Sequence, residues 1–157
     1  MIIRCISFLC VFIITFVSTP CNAAVDYGKQ TLIGSDFSKS DLRGATFYLT
    51  DLQKANLSGS DLQGANLFGV KLEEADLSNA NLTDVTLDSA VLDRTDLTNA
   101  VLENAFAFNA RFINVKIDGA DFTNVPLRND VLRELCPIAR GVNPITLRNT
   151  KDTLECN

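Results

Sequence analysis

The chain has 157 residues, 46% of them hydrophobic and 21% charged, with a formal net charge of −5 and no histidine. That length suits one domain with a sizeable interior, and that composition excludes a disordered chain. Without imidazole there is no histidine zinc ligand and no histidine acid or base, and an acidic chain without a Lys/Arg cluster offers nucleic acid no phosphate-tracking surface.

The first predicted element is a leader. Met1 to Ala24 carries one cation, Arg4, then an apolar run from Cys5 to Val17, then Ser18, Thr19, Pro20 and the small-residue stretch Cys21-Asn22-Ala23. This is the layout of a secretory signal peptide (1–23), with cleavage expected after Ala23. The run is shorter than the ~20 apolar residues of a membrane-crossing helix, so retention as an anchor is the weaker alternative. Acylation of Cys21 fits poorly with Pro20 before it. Cleavage removes Arg4, Cys5, Cys10 and Cys21, leaving 13 cations against 19 acids, a net charge of −6, and only Cys136 and Cys156 as thiols. Two cysteines in an exported chain read as one disulfide, which contributes roughly 3 kcal/mol in the chain-entropy model. Residues 24–29 are expected to form a linker.

From Leu32 every fifth residue is large and apolar: Phe37, Leu42, Phe47 and Leu52 open a series that reaches Leu102, skips at Ala107, and resumes with Phe112, Ile117, Phe122, Leu127 and Leu132. Two residues before each sits a small or β-branched side chain, such as Ala45, Ala55, Ser60, Val70 or Thr95, often with Asp or Asn between. A period of five makes no stripe on an α-helix, where successive leucines step about 140° around the axis. On a straight strand it sends alternate leucines to opposite faces. The chain must therefore bend once per repeat to give all of them a common interior, and stacking such coils ~4.8 Å apart pairs their backbone groups.

The runs Ala55-Asn56-Leu57-Ser58-Gly59, Ala65-Asn66-Leu67-Phe68-Gly69 and Ala75-Asp76-Leu77-Ser78-Asn79 resemble the A(D/N)Lxx signature of pentapeptide-repeat proteins, over residues 30–129. The resemblance implies an all-β solenoid: a right-handed quadrilateral β-helix with four repeats per coil, about five coils, and a stacking period of twenty residues. Beyond it, residues 130–157 are expected to form a short α-helical cap. Asn129 or Asp130 can N-cap a helix containing Val131, Leu132 and Leu135, limited by Pro137, and Thr150 can cap a second helix carrying Leu154 and Cys156. The run from Leu135-Cys136 through Asn143-Pro144-Ile145-Thr146 to Thr150, Leu154 and Cys156 resembles the disulfide-closed tail of lumenal pentapeptide-repeat proteins of cyanobacteria and plastids, with Leu147 where a glycine is expected. A cap of this kind also covers the edge that an open coil end would expose.

Asp36, Asp41, Asp51, Asp61, Asp76, Asp96 and Asp121 share one repeat position with Asn56, Asn66 and Asn81. Carboxylates so arrayed could serve acid/base chemistry or calcium, but the expected role is local: side-chain oxygens that accept backbone N–H groups in tight turns. Asn56-Leu57-Ser58 and Asn81-Leu82-Thr83 match glycosylation acceptors, yet both asparagines are what the repeat already demands. With no base to activate a serine and no phosphate-cradling glycine loop, neither catalysis nor a cofactor or metal site is expected.

One column stands apart. With residues twenty apart stacked, Tyr48, Phe68, Asp88 and Phe108 fall in one outward line, flanked by Leu49 and Phe106. Tyr48, Phe68, Phe106 and Phe108 are therefore the candidate partner surface. The competing reading is local repacking, in which Phe106 or Phe108 turns inward to fill the space left by Ala107. The unbroken spacing to Phe112 favours the regular register. Leader and resemblance together imply an exported, non-catalytic structural or protein-binding module, placed in a bacterial thylakoid lumen or periplasm because no plastid transit peptide precedes the leader. The partner is an unnamed protein, with no nucleic acid and no membrane after cleavage. The alternative, which cytosolic family members suggest, is a DNA-mimicking inhibitor of a topoisomerase.

Overall fold

The structure is a computed structural model that describes residues 24–156. The expected signal peptide, 1–23, lies outside the described residues. Residue i pairs in parallel with residue i + 20 at every fifth position, from Asp26↔Thr46 to Val101↔Asp121. One such contact widens into two named strands, β1 (Val91–Asp93) and β2 (Arg111–Ile113), in the register Leu92↔Phe112. The rest are single bridges, because each side of a coil is only a few residues long before it bends.

The repeat Asn56 to Ser60 shows why this backbone is stable. The Asn56 N–H donates down to Ser35 O at 2.9 Å, while those of Leu57 and Gly59 donate up to Asp76 O at 2.7 Å and Ser78 O at 2.8 Å. The Ser58 N–H donates to Asn56 Oδ1 at 3.1 Å, and Ser60 N–H closes the turn onto Leu57 O at 3.1 Å. All five donors thus have partners, three of them in other coils. The turn is of type II, and its third residue, Gly59, takes φ of 65° as that type requires. The large side chains point inward, and Leu52 through Leu102 form a fully buried ladder. The small positions close the interior as well. Where they are hydroxylic, the buried hydroxyl donates to a carbonyl, as Thr95 Oγ1 does to Leu72 O at 2.7 Å.

The solenoid begins earlier than expected. Asp26 already pairs with Thr46, and Tyr27 occupies the large position, stacked on Phe47 with ring centroids 4.9 Å apart and meeting Phe37 edge-on at 5.4 Å. Most of the expected linker 24–29 is therefore the first side of the first coil. Its large residue is a tyrosine rather than a leucine, because three rings rather than a further coil close that end of the core.

The last coil meets α1 (Asn129–Leu135), a 3-10 turn (Cys136–Ile138) and α2 (Thr150–Thr153). Two expected caps are corrected. Arg128 holds the N-cap position of α1 and makes no side-chain cap bond, because a guanidinium has no acceptor for backbone N–H groups; it donates instead to Asp130 Oδ2 at 2.8 Å. At α2 the cap is Asn149, whose Oδ1 accepts the Lys151 N–H at 2.9 Å, while Thr150 is the first helical residue and is buried. Leu154 and Cys156 follow α2 rather than lying within it. Leu147 takes φ of 59°, the left-handed conformation for which glycine is better suited. Cys136 and Cys156 form a disulfide with Cα atoms 5.6 Å apart, tying the end of α1 to the chain end. Alkylation of the natively folded protein without reductant, followed by intact mass, is expected to find neither Cys136 nor Cys156 modified. Two modified thiols would contradict it. Among the described residues no helix is long and apolar enough to cross a membrane.

Candidate functional site

The shared Asp/Asn position acts in turns throughout. At all ten positions the side-chain oxygen accepts the N–H of the residue two further on, from Ser38 N–H on Asp36 at 2.9 Å to Thr123 N–H on Asp121 at 2.9 Å. At Asp36 and Asp41 such bonds favour the ionised form. The Ser38 N–H lowers the Asp36 carboxyl, and the Arg43 guanidinium, 2.6 Å away, holds Asp41 at about 2. A general acid at neutral pH needs the opposite shift. Among the described residues no group of three His, Cys, Asp or Glu side chains is placed to hold a metal.

The four sides of the coils differ sharply in charge. The stack built on residues 31–35 carries eight charged side chains, and those on 36–40 and 41–45 carry six each. The stack built on 26–30 carries three, Asp26, Lys29 and Asp88. The four candidate surface residues all lie on this charge-poor side. Tyr48 and Phe68 are brought together as a near-parallel pair with centroids 5.6 Å apart and 15° between planes, and Lys29 Nζ sits 5.9 Å from the Tyr48 centroid. Leu49 completes this cluster. Its Cδ2 lies where a Cβ on residue 69 would be, 2.6 Å from that ideal position, so Gly69 is needed for the leucine to lie against the next coil. Phe106 and Phe108, 51% and 46% exposed, stand two coils above Phe68 and are not stacked on it.

The space beneath Ala107 is not filled by either phenylalanine. Ala107 is fully buried, Thr86 still pairs with Phe106, and both rings stay outside. The backbone does change, in a way the sequence reading missed. Of the twenty turn residues from Lys29 to Asn124 at fivefold spacing, Asn109 alone does not take positive φ. Its N–H turns down onto Asp88 Oδ1 at 2.9 Å, with Asn109 Nδ2 3.4 Å from Oδ2, whereas most of its equivalents in the lower coils donate upward. Asp88 is thereby drawn along the surface toward the fifth coil.

A second group missed from sequence anchors the cap. Asn143 is fully buried and donates from Nδ2 to Gly119 O at 2.9 Å, Asn99 O at 3.1 Å and Ala100 O at 3.3 Å, while Oδ1 accepts Ile145 N–H at 2.9 Å and Thr146 N–H at 3.0 Å. Gly141 lets this loop approach, since a Cβ there would meet Gly119 N at 2.8 Å. Arg148 reaches Glu103 Oε2 at 2.6 Å and Asp121 Oδ2 at 3.2 Å. Burial pushes the Asp121 carboxyl up, but the Thr123 hydroxyl and N–H and the Arg148 charge outweigh it and hold it below its usual value. A depressed carboxyl contributes stability that is complete above the unfolded value of ~3.9 and lost as pH falls through the folded one. Melting temperature is accordingly expected to be flat from neutrality to mild acid and to fall below that point. Asp121→Asn should make the acid fall shallower, and an unchanged acid limb would remove Asp121 from the clasp.

A family model described as pentapeptide repeats, in eight copies, matches residues 31–64, 65–104 and 90–129. Among solved structures, a pentapeptide repeat protein from the Arabidopsis thaliana thylakoid lumen is 44% identical, with a TM-score of 0.80, over 82% of this chain and 89% of that one. A pentapeptide repeat protein from the cyanobacterium Cyanothece 51142 is 38% identical over 48% of this chain and 52% of that one, with a TM-score of 0.48. No curated protein matches the sequence.

Proposed function

Since this chain belongs to the pentapeptide-repeat family, we propose that it is an exported, non-catalytic protein-binding module of a thylakoid lumen or periplasm, presenting one side of a right-handed four-sided coil to a partner. The observation that carries this reading is the concentration of Tyr48, Phe68, Phe106 and Phe108 on the side with the fewest charges. Apolar side chains scattered singly need no explanation, but a strip of them on one flat face is costly to leave in water and is the usual mark of an interface. The lumenal Arabidopsis protein and the secretory layout of residues 1–23 support the location. A surface imitating DNA would need rows of unpaired carboxylates. Here several acids are paired with cations of the neighbouring coil, as in Lys71–Asp51 at 3.4 Å, Arg94–Glu74 at 2.9 Å and Lys116–Asp96 at 3.0 Å, and stacked acids such as Asp41 with Asp61 and Asp76 with Asp96 run for only two coils.

Phe108→Ser tests the reading. The ring is half exposed, so its loss should leave the melting temperature nearly unchanged while weakening capture of partners from the host lumen or envelope fraction. A large fall in melting temperature would instead place Phe108 in the core and remove half of the surface.

A further inference from the structure

The charge-poor side has an internal arrangement that bears on what it binds. Its two apolar clusters, Tyr48-Leu49-Phe68 in the second and third coils and Phe106-Phe108 in the fifth, lie on either side of Asp88 in the fourth. Phe68 and Phe108 are each one coil from Asp88, about 4.8 Å below and above it. A two-fold axis lying in the plane of this face, across the coils at the level of Asp88, therefore sets each Phe68 against Phe108 of a second copy. Such a surface matches aromatic to aromatic at these two rows, as a closed dimer requires, and sets Asp88 against Asp88 on the axis.

Resting on the reading of this face as an interface, we propose that its occupant is a second copy of this chain, packed antiparallel about that axis. Charge selects the face. Two copies of a net-acidic chain repel through the stacks built on 36–40 and 41–45, which are both net negative; the stack built on 31–35 balances four cations against four acids, whereas beyond the first coil this face carries Asp88 alone and so has the fewest charges to desolvate. The antiparallel sense keeps Lys29 of one copy away from Lys29 of the other. The displaced turn serves the same contact. By accepting the Asn109 N–H and lying toward the fifth coil, Asp88 lets a second surface approach the one place where like charges meet across the axis.

Sedimentation equilibrium of the processed chain tests this. The expected result is a monomer–dimer equilibrium that Asp88→Asn tightens, by about tenfold for a like-charge contact relieved, and that Phe108→Ser weakens, with melting temperature followed for each variant. A mixture of Phe68→Cys and Phe108→Cys chains should cross-link between copies, and neither variant alone should do so. Two results would overturn the proposal: a monomer up to millimolar concentration in both the wild type and Asp88→Asn, or a dimer indifferent to Phe108→Ser. If either occurs while Phe108→Ser still abolishes capture of another protein, the second copy is excluded and the protein-binding reading stands. If capture is also unaffected, both fall.

Discussion

Leu82→Ala is expected to lower the unfolding free energy by roughly 2 to 5 kcal/mol, and toward the upper end of that range. Leu82 is fully buried, with Leu62 and Leu102 as its counterparts in the coils below and above. How much a truncation costs depends on how far the surroundings can collapse. Here they can collapse little, because the backbone around the site is pinned: Leu82 N–H donates to Val101 O at 2.7 Å and Asn81 N–H to Ser60 O at 2.9 Å. Each coil also supports its neighbours, so a weakened middle coil removes the interfaces on both sides of it. Gln63→Ala, one residue along from an inward leucine but facing out, should cost under about 0.5 kcal/mol. Urea denaturation of both variants gives the comparison, and equal losses would contradict the inward assignment of the five-residue series.

Asn143→Asp is expected to be comparably destructive at neutral pH, on the order of 3 kcal/mol or more, because it leaves buried carbonyls without a donor and sets a charge among them. The oxygen contacts to Ile145 and Thr146 N–H survive the change; those to Asn99, Ala100 and Gly119 carbonyls turn from attractive to repulsive. Burial beside three carbonyl oxygens raises the carboxyl of the new side chain, so the penalty should shrink as pH falls and a proton restores one donor. This is the reverse of the wild-type acid response governed by Asp121 and Arg148, which makes the two contributions separable in one pH series of melting curves. Asn143→Ala, which removes the donor without adding charge, should cost less than Asn143→Asp at neutral pH and show no recovery in acid. Equal stability of the two variants at neutral pH would mean that water reaches the site, and wild-type stability in both would mean that Asn143 does not hold the cap.

The inward ladder and the turns were legible from sequence alone, since both are decided within five residues. Leucine at one position can reach the interior only if the chain bends each repeat, and Asp or Asn just before it can satisfy its own turn whichever coil lies above. The outward placement of Phe106 and Phe108 followed from the same register, because no residue is inserted between Ala107 and Phe112. The disulfide followed from counting the cysteines outside the expected leader. Tertiary structure decided what depends on residues distant in sequence. Tyr27 falls outside the series of leucines and phenylalanines that opens at Leu32, although Val25 and Asp26 before it suit the repeat, and its stacking on Phe47 makes it the first rung. Asn109 is an ordinary turn residue by type, and its displaced backbone comes from a carboxylate 21 positions earlier. Nothing local in sequence marks Asn143, yet docking against carbonyls 24 to 44 residues away buries it completely. A repeat specifies its own coil, whereas ends, caps and faces are set by what the coils are stacked against, and that information is not local.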